Sequence, residues 1–149
     1  AHGMIFDITI IGILIFWLNQ NGEIRQRIRT YRDEIDDFRL WESDEAAFRT
    51  VGNIKRLNRH KIHEINLVNC YLSRTNLNYV DLKGSNLNSA NLSNSSLIET
   101  NLESSRLNQT NLENSNLNPL SKVQLEEGLK DEKALWCPLI NFNSSQEGI

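Results

Sequence analysis

His60, His63 and Glu64 are the residues of this chain whose types and spacing come nearest to a reactive cluster. Two imidazoles beside a carboxylate could ligate a metal ion or pass a proton. A helical zinc motif sets its histidines four apart on one face, and four ligands must converge on the ion. Here the spacing is three, in a loop-like stretch, and no other His or Cys is placed to complete the set. The remaining charged groups of the second half, Arg74, Asp81, Lys83, Glu99, Glu103, Arg106 and Glu113, are scattered singly among Asn and Ser. Groups bathed in water keep ordinary proton affinities, whereas acid–base catalysis depends on perturbed ones. Cys70 and Cys137 are the only thiols. Cys70 occupies a place otherwise given to small residues, which reads as a buried thiol rather than half of a disulfide. No catalytic, cofactor-binding or metal-binding residue is assigned, and neither an enzymatic activity nor a small-molecule substrate is expected.

The element that would position these groups is a ladder of period five. Leucine recurs at Leu67, Leu72, Leu77, Leu82, Leu87, Leu92, Leu97, Leu102, Leu107, Leu112 and Leu117. Two positions earlier the residue is mostly small: Cys70, Thr75, Ser85, Ala90, Ser95, Thr100, Ser105, Thr110 and Ser115, with Ile65 and Val80 bulkier. The residue just before the leucine is usually Asn. A helix would smear such leucines around its circumference, and a flat strand would send them to alternating faces. A solenoid satisfies the pattern: each five-residue unit forms one side of a coil, with the leucine and the residue two before it pointing inward and the other three facing water.

Runs such as TNLNYVDLKGSNLNSANLSNSSL resemble the pentapeptide-repeat proteins, whose unit is roughly Ala-(Asp/Asn)-Leu-x-x. The likeness covers residues 65–120. It implies a β-solenoid, specifically a right-handed quadrilateral β-helix with four repeats per coil and about three coils. Lys83 and Glu103, 20 residues apart, would then lie one above the other as a surface pair worth under about 1 kcal/mol. Tyr79 and Ile98 would share one side, near Tyr71 and Val68, as an apolar patch available to a protein partner. The family's abundance in cyanobacteria makes a thylakoid or plasma membrane the expected location.

Ahead of the ladder, Ala1 to Gly3 are read as an appended remnant, so His2 carries no weight. The run from Met4 to Leu18 holds Asp7 as its only charge. Extended to residues 4–20, it is at the lower limit for a membrane-spanning helix, with Ile8, Ile11, Leu14, Phe16 and Trp17 as anchor residues and Trp17 suited to the interface. It lacks the basic start and the small-residue cleavage site of a signal peptide. A buried partner-binding helix and an interfacial helix are the alternatives. Arg25, Arg27, Arg29 and Arg32 follow directly, which by the positive-inside rule puts the rest of the chain on the cytoplasmic or stromal side.

Residues 21–42 read as an amphipathic stalk helix, its stripe Ile24, Ile28, Tyr31, Ile35 and Phe38 being too short for a coiled coil. That stripe, chiefly Ile28, Tyr31 and Ile35, either meets a partner or a second copy, or packs on its own chain. Residues 43–64 start a further helix at Ser43-Asp44-Glu45 and read as the N-terminal cap of the solenoid, since open repeat ends expose unpaired edges. Leu57 and Ile62 continue the register backwards in degenerate form. After Pro119, Ser121 to Gln124 form a capping box. It opens a C-terminal capping helix at 121–138, and a tail follows at 139–149.

The expected role is a non-enzymatic, membrane-anchored scaffold or accessory subunit that offers the solenoid to protein partners in a membrane complex, with a homo-oligomer possible. The resemblance carries an alternative, a DNA-mimicking topoisomerase-binding protein. Residues 65–120 hold three basic and four acidic residues, far from the strongly acidic rod this role needs. The small net charge of −3 also argues against a nucleic-acid surface, which needs clustered Lys and Arg.

Overall fold

The structure, a computed structural model, describes residues 2–117. The capping helix expected at 121–138 and the tail at 139–149 lie outside the described residues. The first element, α1 (His2–Asp37), is one uninterrupted helix. It carries the apolar run and the amphipathic stretch on one axis. Its first half is rich in β-branched isoleucine, a modest helix former in water. The helical ladder nonetheless satisfies its backbone groups within the segment. Thr9 follows the same rule, its hydroxyl donating to the Ile5 carbonyl at 2.9 Å.

The helix ends at Asp37, short of Leu40, because the chain turns there. Arg39 N–H already bonds the Asp36 carbonyl three residues back, and Leu40 takes φ 70°. α2 (Asp44–Arg59) then runs back along α1. Ser43 accepts from the Ala46 amide at 3.1 Å, acids occupy the first turn, and Arg56 and Arg59 the last. Each complements the helix dipole. The antiparallel sense follows from side-chain pairs. Glu34 meets Asn53 at 2.8 Å, whereas Tyr31, nearer the start of α1, lies beside Arg56 and His60 near the end of α2. Leu57 belongs to this helix and not to a degenerate repeat. It is nonetheless fully buried against the solenoid.

From Asn66 onward the chain bridges itself in parallel every 20 residues: Asn66 with Asn86, Tyr71 with Asn91, Asn76 with Ser96, Asp81 with Asn101, Asn86 with Arg106 and Asn91 with Asn111. Among the described residues only β1 (Ser96–Leu97) and β2 (Asn116–Leu117) are long enough to count as strands. Sheet is scarce for a physical reason. Every unit gives four residues to a turn, closed for example by Cys70 N–H to the Leu67 carbonyl at 3.1 Å, and little straight backbone remains. The third residue of each turn has positive φ, from Asn69 at 57° to Asn114 at 55°, and glycine fills it only once, at Gly84. The ladder leucines form the core, joined from the cap side by Val51, Ile54, Leu57 and Ile35. Leu107 is half-buried.

Candidate functional site

The asparagine before most of the leucines does more than face water. Its Oδ1 accepts the amide two residues on, as in Asn76 to Asn78 (3.0 Å), Asn91 to Ser93 (3.0 Å), Asn101 to Glu103 (3.0 Å) and Asn111 to Glu113 (2.9 Å). Asp81 serves Lys83 in the same way. This Asx turn pairs an amide that the bend leaves without a backbone partner. Where Ser96 or Arg106 replaces Asn, the coil below takes over: Asn78 accepts from the Ile98 amide at 2.9 Å and Asn88 from the Asn108 amide at 3.0 Å. The small inward residues are just as specific. Ser105 and Ser115 bond the leucine carbonyl of their own turn, while Thr100 and Thr110 reach Leu77 and Leu87 one coil below. Ser73, at an expected outward place, is buried and bonded to Ser93.

At its starting end the solenoid meets a polar cap. Arg39 donates to the carbonyls of Asn66 and Val68, and the Leu40 amide to that of Asn69. Asn58 stands in for a missing strand: its Oδ1 accepts from the Asp81 amide at 2.7 Å, and its Nδ2 donates to the Asp81 carbonyl at 2.9 Å and to that of Ile62 at 3.1 Å. Arg74 on the first coil pairs with Asp44 at 2.8 Å. The Tyr71 hydroxyl, then the Asp44 carboxylate, hold its guanidinium further in the charged form.

The residues assigned from sequence to a partner surface separate into two groups. Ile35 is 1% exposed and belongs to the chain's own core, so it cannot be a partner contact. Ile28 and Tyr31 pack beside it, partly buried, with Tyr31 further covered by Arg56 and His60. From Ile28 to Ile35 the stripe on α1 is therefore used internally, while Ile24 stays exposed. Tyr71 is partly buried and engaged with Arg74. Tyr79 stands at a corner, 78% exposed, and its amide bonds the carbonyl of Ile98, which is partly buried in the coil above. Lys83 and Glu103 pair across coils at 2.9 Å. Ile8, Ile11, Leu14, Phe16 and Trp17 are all more than half exposed on α1. Leu40, Trp41 and Phe48 are not among the residues assigned from sequence to a partner surface. All three are open to solvent at the α1–α2 corner, Phe48 at 79%. Their signal was their position at helix ends and off the buried stripe.

Of the reactive cluster, His60 stacks on Tyr31 and His63 Nδ1 lies 3.1 Å from Asp81 Oδ2. A cleft of about 190 Å³ between the end of α1 and the first coil is lined by Arg32, Ile35, Asp36, Glu64, Ile65 and Asn66. That is below the size of ordinary ligand pockets, roughly 300 Å³ and up.

Cys70 is sealed at an inward position, and burial pushes its thiol up to about 11, with Arg39 acting to lower it and Asp36 to raise it. The folded state thus holds the proton more tightly than the unfolded chain. The resulting stability, about 2–3 kcal/mol, is complete below the ordinary thiol range and is lost as pH rises from about 9 to 11. Urea titrations across that range should show this loss in the wild type and a flat profile in Cys70→Ala. Alkylation of Cys70 near pH 8 should be about 100-fold slower than that of a free thiol.

Parallel coils closed by a turn at every fifth residue, stacked at a register of 20 and capped by a helix, define a β-solenoid. Residues 65–103 and 95–118 match the family model for pentapeptide repeats, in eight copies. That segment is therefore similar to the pentapeptide-repeat family. No match was found among curated proteins.

Proposed function

We propose that this is a non-enzymatic, membrane-anchored pentapeptide-repeat protein, a scaffold or accessory subunit whose solenoid is offered to protein partners in a membrane complex. The observation that carries the reading is the division of α1. Its first half is apolar, long enough to cross a bilayer and covered by nothing among the described residues, while its second half is built into the cap of the solenoid. One rigid element thus joins a membrane-compatible segment to a displayed surface. The solenoid on this reading is the right-handed, four-sided β-helix of nearly three coils that the family resemblance implies, presenting the Tyr79–Ile98 corner. By the family's distribution and the basic flank, it sits on the cytoplasmic or stromal side of a cyanobacterial thylakoid or plasma membrane. The outer walls are mostly polar and carry few charges of mixed sign, which supports display rather than catalysis or imitation of DNA.

Alkaline washing tests the anchor. Wild-type chain should stay with the membrane pellet, and Ile11→Arg, at the middle of the run, should release most of it. A charge there opposes insertion by about 3 kcal/mol. Wild-type protein found wholly in the supernatant would sink the reading.

A further inference from the structure

Folding brings together two basic stretches that lie far apart in sequence. Residues 23–32 of α1 contain four arginines, Arg25, Arg27, Arg29 and Arg32, against the single acid Glu23. Residues 55–61, the end of α2, contain Lys55, Arg56, Arg59 and Lys61 and no acid. All eight are exposed. Because α2 runs antiparallel to α1, its basic end lies beside Tyr31, at the end of the domain that faces the apolar run. The opposite end, residues 33–45, carries seven acids and one arginine, Arg39. Among the described residues the ion pairs concentrate at that acidic end, Asp36–Arg39, Glu34–Arg49, Glu45–Arg49 and Asp44–Arg74, and none of the eight cations is in one. Acids do border the basic end: Glu23 and Asp33 flank the α1 stretch, and Asp36 and Glu64 line the same small cleft as Arg32.

We propose that this basic end, Arg25–Arg32 of α1 with Lys55–Lys61 of α2, docks on a leaflet of anionic lipid. The inference rests on the anchor reading and adds to it a lipid preference supplied by α2. With residue 11 at the bilayer centre and a rise of about 1.5 Å per residue, Arg25 stands about 21 Å out, at the outer limit of the headgroups. Tyr31 and the end of α2 lie about 9 Å further, near one Debye length, and long basic side chains shorten that gap. Positive charge at one end of the helical pair and negative at the other turns the domain with its basic end toward the lipid.

The test dilutes the full chain out of detergent into phosphatidylcholine vesicles with or without phosphatidylserine and measures the bound fraction. Binding to neutral vesicles reads the anchor; the ratio of anionic to neutral binding reads the docking. The triple change Lys55→Gln, Arg59→Gln and Lys61→Gln should lower that ratio at least about tenfold with neutral binding unchanged. High salt should do the same, and Arg106→Gln, on the solenoid wall, should leave the ratio alone. All three residues of the triple change are exposed, and circular dichroism of the variant should match that of the wild type. A ratio unaffected by the triple change would overturn the proposal, as would tighter binding to a DNA duplex than to anionic vesicles. If neutral binding is absent, the anchor reading fails, and anionic binding with its sensitivity to the triple change still decides the docking.

Discussion

Leu92→Ala is expected to lower stability by about 3–5 kcal/mol, measured by chemical denaturation of the full chain. Leu92 is fully buried in the second coil, with Leu72 below it and Leu112 above it in the same inward column. The neighbours are held by backbone bonds such as Leu72 N–H to the Asn91 carbonyl at 2.7 Å and Asn91 N–H to the Cys70 carbonyl at 3.0 Å. Coils locked at that spacing cannot collapse into the space left by the truncated side chain. The cavity therefore persists, and the loss falls at the upper end of the usual range. Leu107→Ala is the comparison. Its side chain is half-buried, so the same deletion should remove only about 1–2 kcal/mol. Equal losses at the two sites would contradict the inward-column reading.

Asn58→Ala should cost about 2–4 kcal/mol. The carboxamide makes three hydrogen bonds at once, two to the backbone of Asp81 and one to Ile62. Truncation leaves an amide and two carbonyls at the first edge of the solenoid without those partners, in part-buried surroundings. The penalty for unpaired groups exceeds the net worth of the bonds themselves. Asn58→Asp is the sharper variant. It keeps an acceptor for the Asp81 amide but sets a charge against two carbonyls, so it should be no more stable than the alanine. A second consequence is association, because an uncovered edge offers a template for pairing with another chain. Light scattering should detect it in Asn58→Ala before thermal unfolding is complete. A variant within about 0.5 kcal/mol of wild type would show that α2 covers the edge by apolar packing alone.

Much of this architecture is written locally. The five-residue recurrence from Leu67 to Leu117 is enough to place the inward positions, because only a coil with a turn in every unit keeps such leucines on one side. The start of α2 at Ser43 is equally plain, since the hydroxyl and the two acids that follow satisfy a helix N-terminus by chemistry alone. The apolar stretch from Met4 to Leu18 announces itself by composition. Even the Lys83–Glu103 pair follows once the register of 20 is granted.

Other features depend on which surfaces meet in three dimensions. The stripe Ile28, Tyr31 and Ile35 has the same spacing whether it meets a partner or its own chain; only the return of α2 along α1 makes it internal. The frequent choice of Asn before the leucine looks like mere polarity until the turn geometry shows an amide needing an acceptor two residues on. Asn58 carries no sequence signal of its role, because the strand it replaces is defined by Asp81, 23 residues away. The joining of Arg25–Arg32 with Lys55–Lys61 likewise arises from the antiparallel packing of two helices. Periodic burial and capping are encoded within a few neighbouring residues and can be read from sequence. Edge pairing and the meeting of charges depend on distances between residues that the chain brings together only by folding.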